Sequence, residues 1–183
     1  LFPLFHNRLL SERRPEYPRF IQWLGLEQKK PSPIDVLARS GGVRATDKLQ
    51  MFSRVKLDSN NQFEALFFAH GLGYLSDSAK ARVSALKKGE VLYLALDCQN
   101  EFDNNAIIIR AEVPAEIVGY CPRYLVESIT ELLSNNPKNI IVTVEALSDN
   151  APSNYKLMCR LSGTVPPEFA ESFFNGDEFK TVA

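Results

Sequence analysis

Acidic, aromatic, polar and basic side chains gather in one short part of the chain, between residues 100 and 123. Asn-Glu-Phe-Asp-Asn-Asn-Ala precedes an apolar run, and Ile-Val-Gly-Tyr-Cys-Pro-Arg follows it. A turn that only reverses the chain needs no more than Asn-Gly or Asp-Gly. The additional side chains therefore favour a binding edge, although an Asx-type turn with a buried phenylalanine is the plainer alternative. The candidate residues are Asn100, Phe102, Asp103, Tyr120 and Arg123.

The sequence offers little for catalysis or for metal binding. His6 and His70 have no companions at ligand spacing, and there is no phosphate-binding loop. Asp97, Glu101 and Asp103 are acidic residues of one stretch, but their shared turn favours solvated carboxylates over a metal site. We therefore expect a non-catalytic protein without a metal or another cofactor.

The cysteines indicate a reducing compartment. Cys98, Cys121 and Cys159 are odd in number, far apart in sequence and free of Cys-x-x-Cys spacing. This pattern argues against a disulfide framework or a zinc site. No apolar run approaches the length that crosses a bilayer, so a cytoplasmic protein without a membrane partner is expected.

Charge is distributed unevenly along the chain. The formal net charge of the 183 residues is −1, which alone indicates no nucleic-acid partner. Residues 1–60 carry 11 basic and 6 acidic side chains, which leaves 10 basic and 16 acidic side chains for the remainder. The basic N-terminal segment and the acidic remainder of the chain either attract each other, or the N-terminal segment binds a polyanion.

The hydrophobic pattern predicts short helices first and mainly strands afterwards. Helices are expected over residues 17–26 and 33–39, the second capped by Ser32 and stopped by Gly41-Gly42. Two longer helices are expected, one after Ser76 or Asp77 that ends at Gly89 and one from Pro122 to about residue 134. Strand patterns occur at 49–55, 63–69, 91–96, 107–109, 117–121, 139–147 and 155–161, with the last two forming a hairpin.

These elements predict an α+β fold. The body is expected to be a small, OB-like antiparallel β-barrel of about six strands with two helices, preceded by a short helical N-terminal segment. The predicted organisation is a basic segment over 1–60, the barrel over 61–165 and a tail or short helix over 166–183. The tail contains Phe169, Phe173 and Phe174, which either pack on the body or dock a partner.

Four motifs in order carry a resemblance to a known family. Gly71 and Tyr74 precede a helix, and Lys-Lys-Gly precedes an apolar strand. Asn-x-aromatic-Asp-x-Asn-Ala follows at 100–106, and Ile-Val-Gly-Tyr-x-Pro-Arg at 117–123 opens a helix. Over about residues 62–163 the chain resembles the HIRAN domain, and it is similar to the stand-alone bacterial type. Glu101 and Gly73 depart from the family pattern, which often has proline and a basic residue at these positions.

The resemblance implies an OB-like barrel that captures the free 3′-hydroxyl end of single-stranded DNA, in DNA repair or processing. It implies a stacking platform for bases, an acceptor for the terminal hydroxyl at Asp103 and a phosphate contact at Arg123, with Lys80 or Arg82 as further cations. The DNA-binding set is Tyr74, Asn100, Phe102, Asp103, Tyr120 and Arg123. The alternative is a protein-interaction or regulatory module that uses the same edge or the phenylalanine-rich tail.

Overall fold

The computed structural model describes residues 2–28, 30–135, 139–171 and 173. The chain divides into two compact units, Leu1–Arg54 and Val55–Ala183. No helix in the described part of the chain is long and apolar enough to span a membrane. The predicted boundaries at residues 60 and 165 remain predictions.

The first unit consists of short helices: α1 (Pro3–His6), α2 (Tyr17–Trp23) and α3 (Pro33–Ser40). Helix α3 begins and ends as its sequence predicts. The Ser32 hydroxyl accepts from the backbone N–H of Asp35, whose carboxylate accepts in return from the backbone of Ser32, and Gly41 ends the helix at φ +78°. Apolar side chains of α2 and α3 are buried here.

The described part of the second unit is built on six antiparallel strands, and this confirms the predicted fold class. In spatial order the strands run β1-β6-β5-β2-β3-β4. A single bridge between His70 and Tyr120 joins the chain just after β1 to the end of β4, so the two edges of the sheet meet at this point. The strands are β1 (Gln62–Phe68), β2 (Val91–Leu96), β3 (Ile107–Ala111), β4 (Glu116–Tyr120), β5 (Ile140–Leu147) and β6 (Leu157–Thr164).

Two main helices and one short helix accompany these strands: α4 (Asp77–Ala85), α5 (Arg123–Asn135) and α6 (Ser153–Lys156). The hydroxyl of Ser76 caps α4, and Pro122 directly precedes α5. Apolar residues of α5 at helical spacing face the barrel core, where side chains from all six strands are also buried. The largest fully buried side chains of this unit include Phe67, Ile107, Ile109, Leu125, Ile129, Leu157 and Leu161.

The predicted strand over residues 49–55 was wrong. This segment forms no strand in the described structure, and Leu49 and Ser53 are exposed although the alternation predicted a buried face. A strand is stabilised by ladder hydrogen bonds and by burial of one face. The segment has no ladder partner in the described sheet, and its predicted inward face is only partly covered, since Met51 and Val55 are half-buried.

Three boundaries also differ from the sequence prediction, the first being α2, which ends at Trp23 rather than at residue 26. The last strand is displaced, because residues 155 and 156 complete α6 and the ladder with β5 starts at Leu157. Helix α4 ends at Ala85 rather than Gly89, because Leu86 takes an extended conformation and is buried in the core.

The phenylalanines of the tail pack on the barrel where they are described. Phe173 is buried, and its ring centroid lies 5.1 Å from that of Phe63 on β1. Phe169 packs against the same core from a short 3₁₀ turn. Phe174 lies outside the described residues.

Candidate functional site

The loop that joins β2 to β3 is held by its own polar side chains. The Asn100 Oδ1 atom accepts hydrogen bonds from the backbone N–H groups of Phe102 (3.0 Å) and Asp103 (2.9 Å). This is an Asx-type turn, as the plainer sequence interpretation expected. The same interpretation expected a buried phenylalanine, but 96% of Phe102 is exposed. The turn therefore presents an aromatic ring to solvent rather than to the core.

Asp97, the first residue after β2, connects this loop to Tyr120. Its Oδ2 atom accepts from the Asn100 Nδ2 (3.1 Å) and from the Tyr120 hydroxyl (3.1 Å). Burial, the hydrogen bond to Asp97 and the charge of Asp97 raise the pKa of Tyr120. Tyr120 therefore stays protonated at neutral pH and acts as a donor that fixes the loop.

Tyr120 also packs on the turn that carries Tyr74. The backbones of His70 and Tyr120 exchange two hydrogen bonds, of 2.9 and 3.0 Å. The next residue, Gly71, has φ +77°, and a Cβ atom placed there would lie 2.9 Å from the Tyr120 Cδ2. Only glycine tolerates both the backbone conformation and this close ring. Gly71 then accepts from the N–H of Tyr74 at 3.0 Å, and 97% of Tyr74 is exposed.

The structure thus links three predicted residues to Tyr120 indirectly: Tyr74 through Gly71, and Phe102 and Asp103 through Asn100 and Asp97. We call Tyr74, Phe102, Asp103 and Tyr120 the aromatic corner. Asn100 supports the corner from within, since both ends of its amide are used by the loop. Asp97 is the residue that sequence reasoning missed, because it had been considered only as a possible metal ligand.

Asp103 has one oxygen engaged and one available. Its Oδ1 accepts from the backbone N–H of Asn105 at 3.0 Å, and its Oδ2 receives no hydrogen bond from any described residue. The residue is half-buried in the loop. Asp103 therefore keeps an acceptor for a ligand while its other oxygen holds the carboxylate in place.

The cations differ in their availability. Arg123 is exposed at the start of α5, three residues after Tyr120, and forms no ion pair with a described residue. Arg82 is buried, and it bonds to the carboxylate of Glu90 and to the carbonyl oxygen of Pro114. Of the two alternatives, Lys80 or Arg82, the one that assigned a phosphate contact to Arg82 was therefore wrong. Lys80 is exposed on the same helix.

The described part of the chain contains free thiols and no cluster of metal-ligating side chains. Cys98 is exposed, whereas Cys121 and Cys159 are buried, and all three are free. Burial raises the pKa of the Cys121 thiol to about 12 and raises the pKa of Cys159 as well. No group of three or more His, Cys, Asp and Glu side chains in the described part of the chain is arranged to hold a metal ion.

The small antiparallel barrel has an OB-like fold. The HIRAN domain family model matches residues 62–166, which is more than half of the chain. The chain therefore belongs to the HIRAN domain family. The matched region begins at β1 and contains the aromatic corner.

Two solved structures are similar to this chain. The crystal structure of the HIRAN domain of human HLTF has a TM-score of 0.48 and 17% identity, and covers 69% of this chain and 100% of that one. The crystal structure of a protein from Lactobacillus plantarum has a TM-score of 0.43 and 21% identity, and covers 55% of this chain and 96% of that one. No curated protein sequence matches the chain significantly.

Proposed function

We propose that the chain is a non-catalytic module that binds the free 3′-hydroxyl end of single-stranded DNA at the aromatic corner. Membership of the HIRAN family supports DNA as the ligand, because the family resemblance implies capture of such ends. A role in DNA repair or processing follows from the same resemblance. The observation that carries the proposal is the nearly complete exposure of Tyr74 and Phe102 on two segments that Tyr120 holds together.

Exposed aromatic rings of this kind suit unpaired bases. Large apolar side chains are normally buried, so two nearly fully exposed rings on adjoining loops indicate a contact surface. A stacked base contributes on the order of 1–3 kcal/mol whatever its identity. Single-stranded DNA therefore gains affinity here without any need for sequence recognition.

Asp103 supplies the distinction between a strand end and a strand interior. A 3′-hydroxyl donates a hydrogen bond to the available Oδ2 of the carboxylate, and such a charge-assisted bond is strong. An internal strand or a 3′-phosphate places a negative charge against the same carboxylate. The site therefore favours a terminal hydroxyl, while Arg123 lies nearby in sequence to bind a phosphate of the strand.

The proposal is tested by fluorescence anisotropy with 5′-labelled oligonucleotides that end in a 3′-hydroxyl or in a 3′-phosphate. Wild-type protein is expected to bind the hydroxyl end more tightly. Asp103→Asn keeps an oxygen for the Asn105 N–H but removes the charge, so the preference is expected to collapse, mainly through tighter binding of the phosphate end.

Asp58→Asn provides a matched control. Asp58 also holds a turn, since its Oδ1 accepts from the backbone N–H groups of Asn60 and Gln62 at 2.8 Å. That turn precedes β1 and contains none of the proposed ligand-binding residues. Asp58→Asn should retain the wild-type preference. Equal binding of both ends by wild-type protein, or an unchanged preference in Asp103→Asn, would reject the function.

A further inference from the structure

A groove lies directly beside Tyr74. It has a volume of about 280 Å³ and is bordered by the 3₁₀ turn 72–74, by α4 and by the segment that leads into and includes α6. Tyr74 stands between two residues that line the groove, Gly73 and Leu75. Tyr74 does not itself line the groove, but the backbone that carries it borders the groove on both sides of Tyr74. The remaining lining residues are Leu72, Lys80, Val83, Ala151, Ser153 and Lys156.

The lining of the groove combines an apolar floor with two cations and no carboxylate. Lys80 comes from α4 and Lys156 from α6, and neither forms an ion pair with another described residue. By contrast, Lys88 on the outer surface pairs with Glu145 at 3.0 Å. In a unit whose acidic side chains outnumber its basic ones, a groove with two unpaired lysines and no acid is a local site for an anion.

Gly73 leaves the groove open. A Cβ atom at this position would meet only the Ser153 Oγ, at 4.0 Å, so the space next to the backbone is unfilled. Lys80 and Lys156 bring positive charge to the same place from two other elements.

We propose that this groove binds the sugar-phosphate backbone of the strand whose end occupies the aromatic corner, with Lys80 and Lys156 as the phosphate contacts and Ser153 as a hydrogen-bond donor. The apolar floor packs against deoxyribose, and the lysines neutralise a phosphodiester on the 5′ side of the stacked base. This inference rests on the proposed function, since it assumes that single-stranded DNA is the ligand.

The test measures affinity as a function of salt for wild-type protein, for Lys80→Gln/Lys156→Gln and for the control Lys87→Gln. Each phosphate contact on a single strand contributes about 0.7 to the slope of log K against log salt, so the double variant should lose roughly 1.4 of slope. The same relation predicts roughly a fivefold loss of affinity per lysine at about 0.1 M salt. Lys87 is exposed near α4 but does not line the groove, and its variant should keep the slope.

A second measurement locates the phosphate. Uncharged methylphosphonate linkages are placed one at a time near the 3′ end of the oligonucleotide. At the linkage that occupies the groove, wild-type protein should lose affinity and the double variant should lose none further. Because both lysines are partly or fully exposed, thermal melting by circular dichroism should show that the double variant is folded.

The outcomes separate the two proposals. If the double variant keeps the wild-type salt slope and affinity, and wild-type protein prefers the 3′-hydroxyl, the groove proposal is overturned and the proposed function stands. If the double variant has a reduced salt slope, but wild-type protein has no preference between the two ends, recognition of the 3′-hydroxyl by Asp103 is overturned. Phosphate binding in the groove is then still supported. A loss of slope in Lys87→Gln of about half that in the double variant would show that the effect follows overall charge and would overturn the groove proposal. Absence of wild-type binding to single strands would overturn both.

Discussion

Asp97 holds the aromatic corner together, and its substitution should weaken DNA binding without any contact between Asp97 and DNA. Its Oδ2 accepts from Asn100 and from the Tyr120 hydroxyl. A hydrogen bond to a charged group contributes about 1.5 kcal/mol or more, so the loss of both bonds is worth roughly 3 kcal/mol. DNA must then order the loop that these bonds held, and about 1.4 kcal/mol corresponds to a tenfold change, so Asp97→Ala should bind the 3′-hydroxyl end up to about 100-fold more weakly. Tyr120→Phe loses one bond and keeps the ring, so it should lose about tenfold.

Anisotropy titrations of the two variants give these affinities, and hydrogen exchange gives an independent measure of the loop. The amides of Phe102 and Asp103 bond to the Asn100 side chain, which Asp97 anchors, so they should exchange faster in Asp97→Ala in the absence of DNA. Wild-type affinity or wild-type exchange in Asp97→Ala would refute the positioning role. An equal or larger loss in Tyr120→Phe would show that the phenol acts on the ligand directly.

Three further predictions concern stability and reactivity. Gly71→Ala should lower the free energy of unfolding by about 1–3 kcal/mol and also weaken DNA binding. An alanine is strained at the φ of +77°, and its Cβ would displace the Tyr120 ring. Unchanged urea denaturation would contradict this packing. Glu90→Ala should cost roughly 3 kcal/mol because it leaves the buried Arg82 unpaired. The hydrogen bond from Arg82 lowers the pKa of the Glu90 carboxyl below 4.5. This stabilisation is therefore present above pH 4.5 and is lost as the pH falls through the folded-state pKa. A difference in unfolding free energy between wild type and Glu90→Ala that does not change with pH would contradict it. Native protein should expose one reactive thiol, Cys98, to a thiol reagent and three after denaturation; rapid modification of a second native thiol would contradict the burial.

The fold was predictable where local signals and tertiary packing agree. Ser32 with Asp35 and Gly41 determine α3 at both ends, and the clean alternation of β5 and β6 predicts their hairpin. The false strand at 49–55 shows the limit of periodicity. Alternation describes a strand only if a partner edge exists, and partner edges depend on the whole topology.

The site was predictable as a set of residue types but not as a network. The four family motifs place Tyr74, Phe102, Asp103 and Tyr120 in the chain. The role of Asp97 depends on register: β2 pairs Leu96 with Ile107, and β3 pairs Ile108 with Tyr120, so Asp97 and Tyr120 meet across β3. No sequence spacing contains this information.

Burial also separates residues that look equivalent in sequence. Arg82 and Lys80 are both cations of one helix, yet Arg82 is buried in an ion pair and Lys80 lines the groove. The position of Lys156 was not foreseeable, because it lies 82 residues from Tyr74 and α6 brings it to the same groove as Lys80.

An NMR titration of wild-type protein with a short single strand tests the central claim most directly. A strand that ends in a 3′-hydroxyl should shift the amide signals of residues 71–74, 97–106 and 120, and the same strand with a 3′-phosphate should shift them far less. Shifts of equal size for both strands, or shifts confined to the exposed outer face around Val91, Tyr93 and Ile141, would contradict the account.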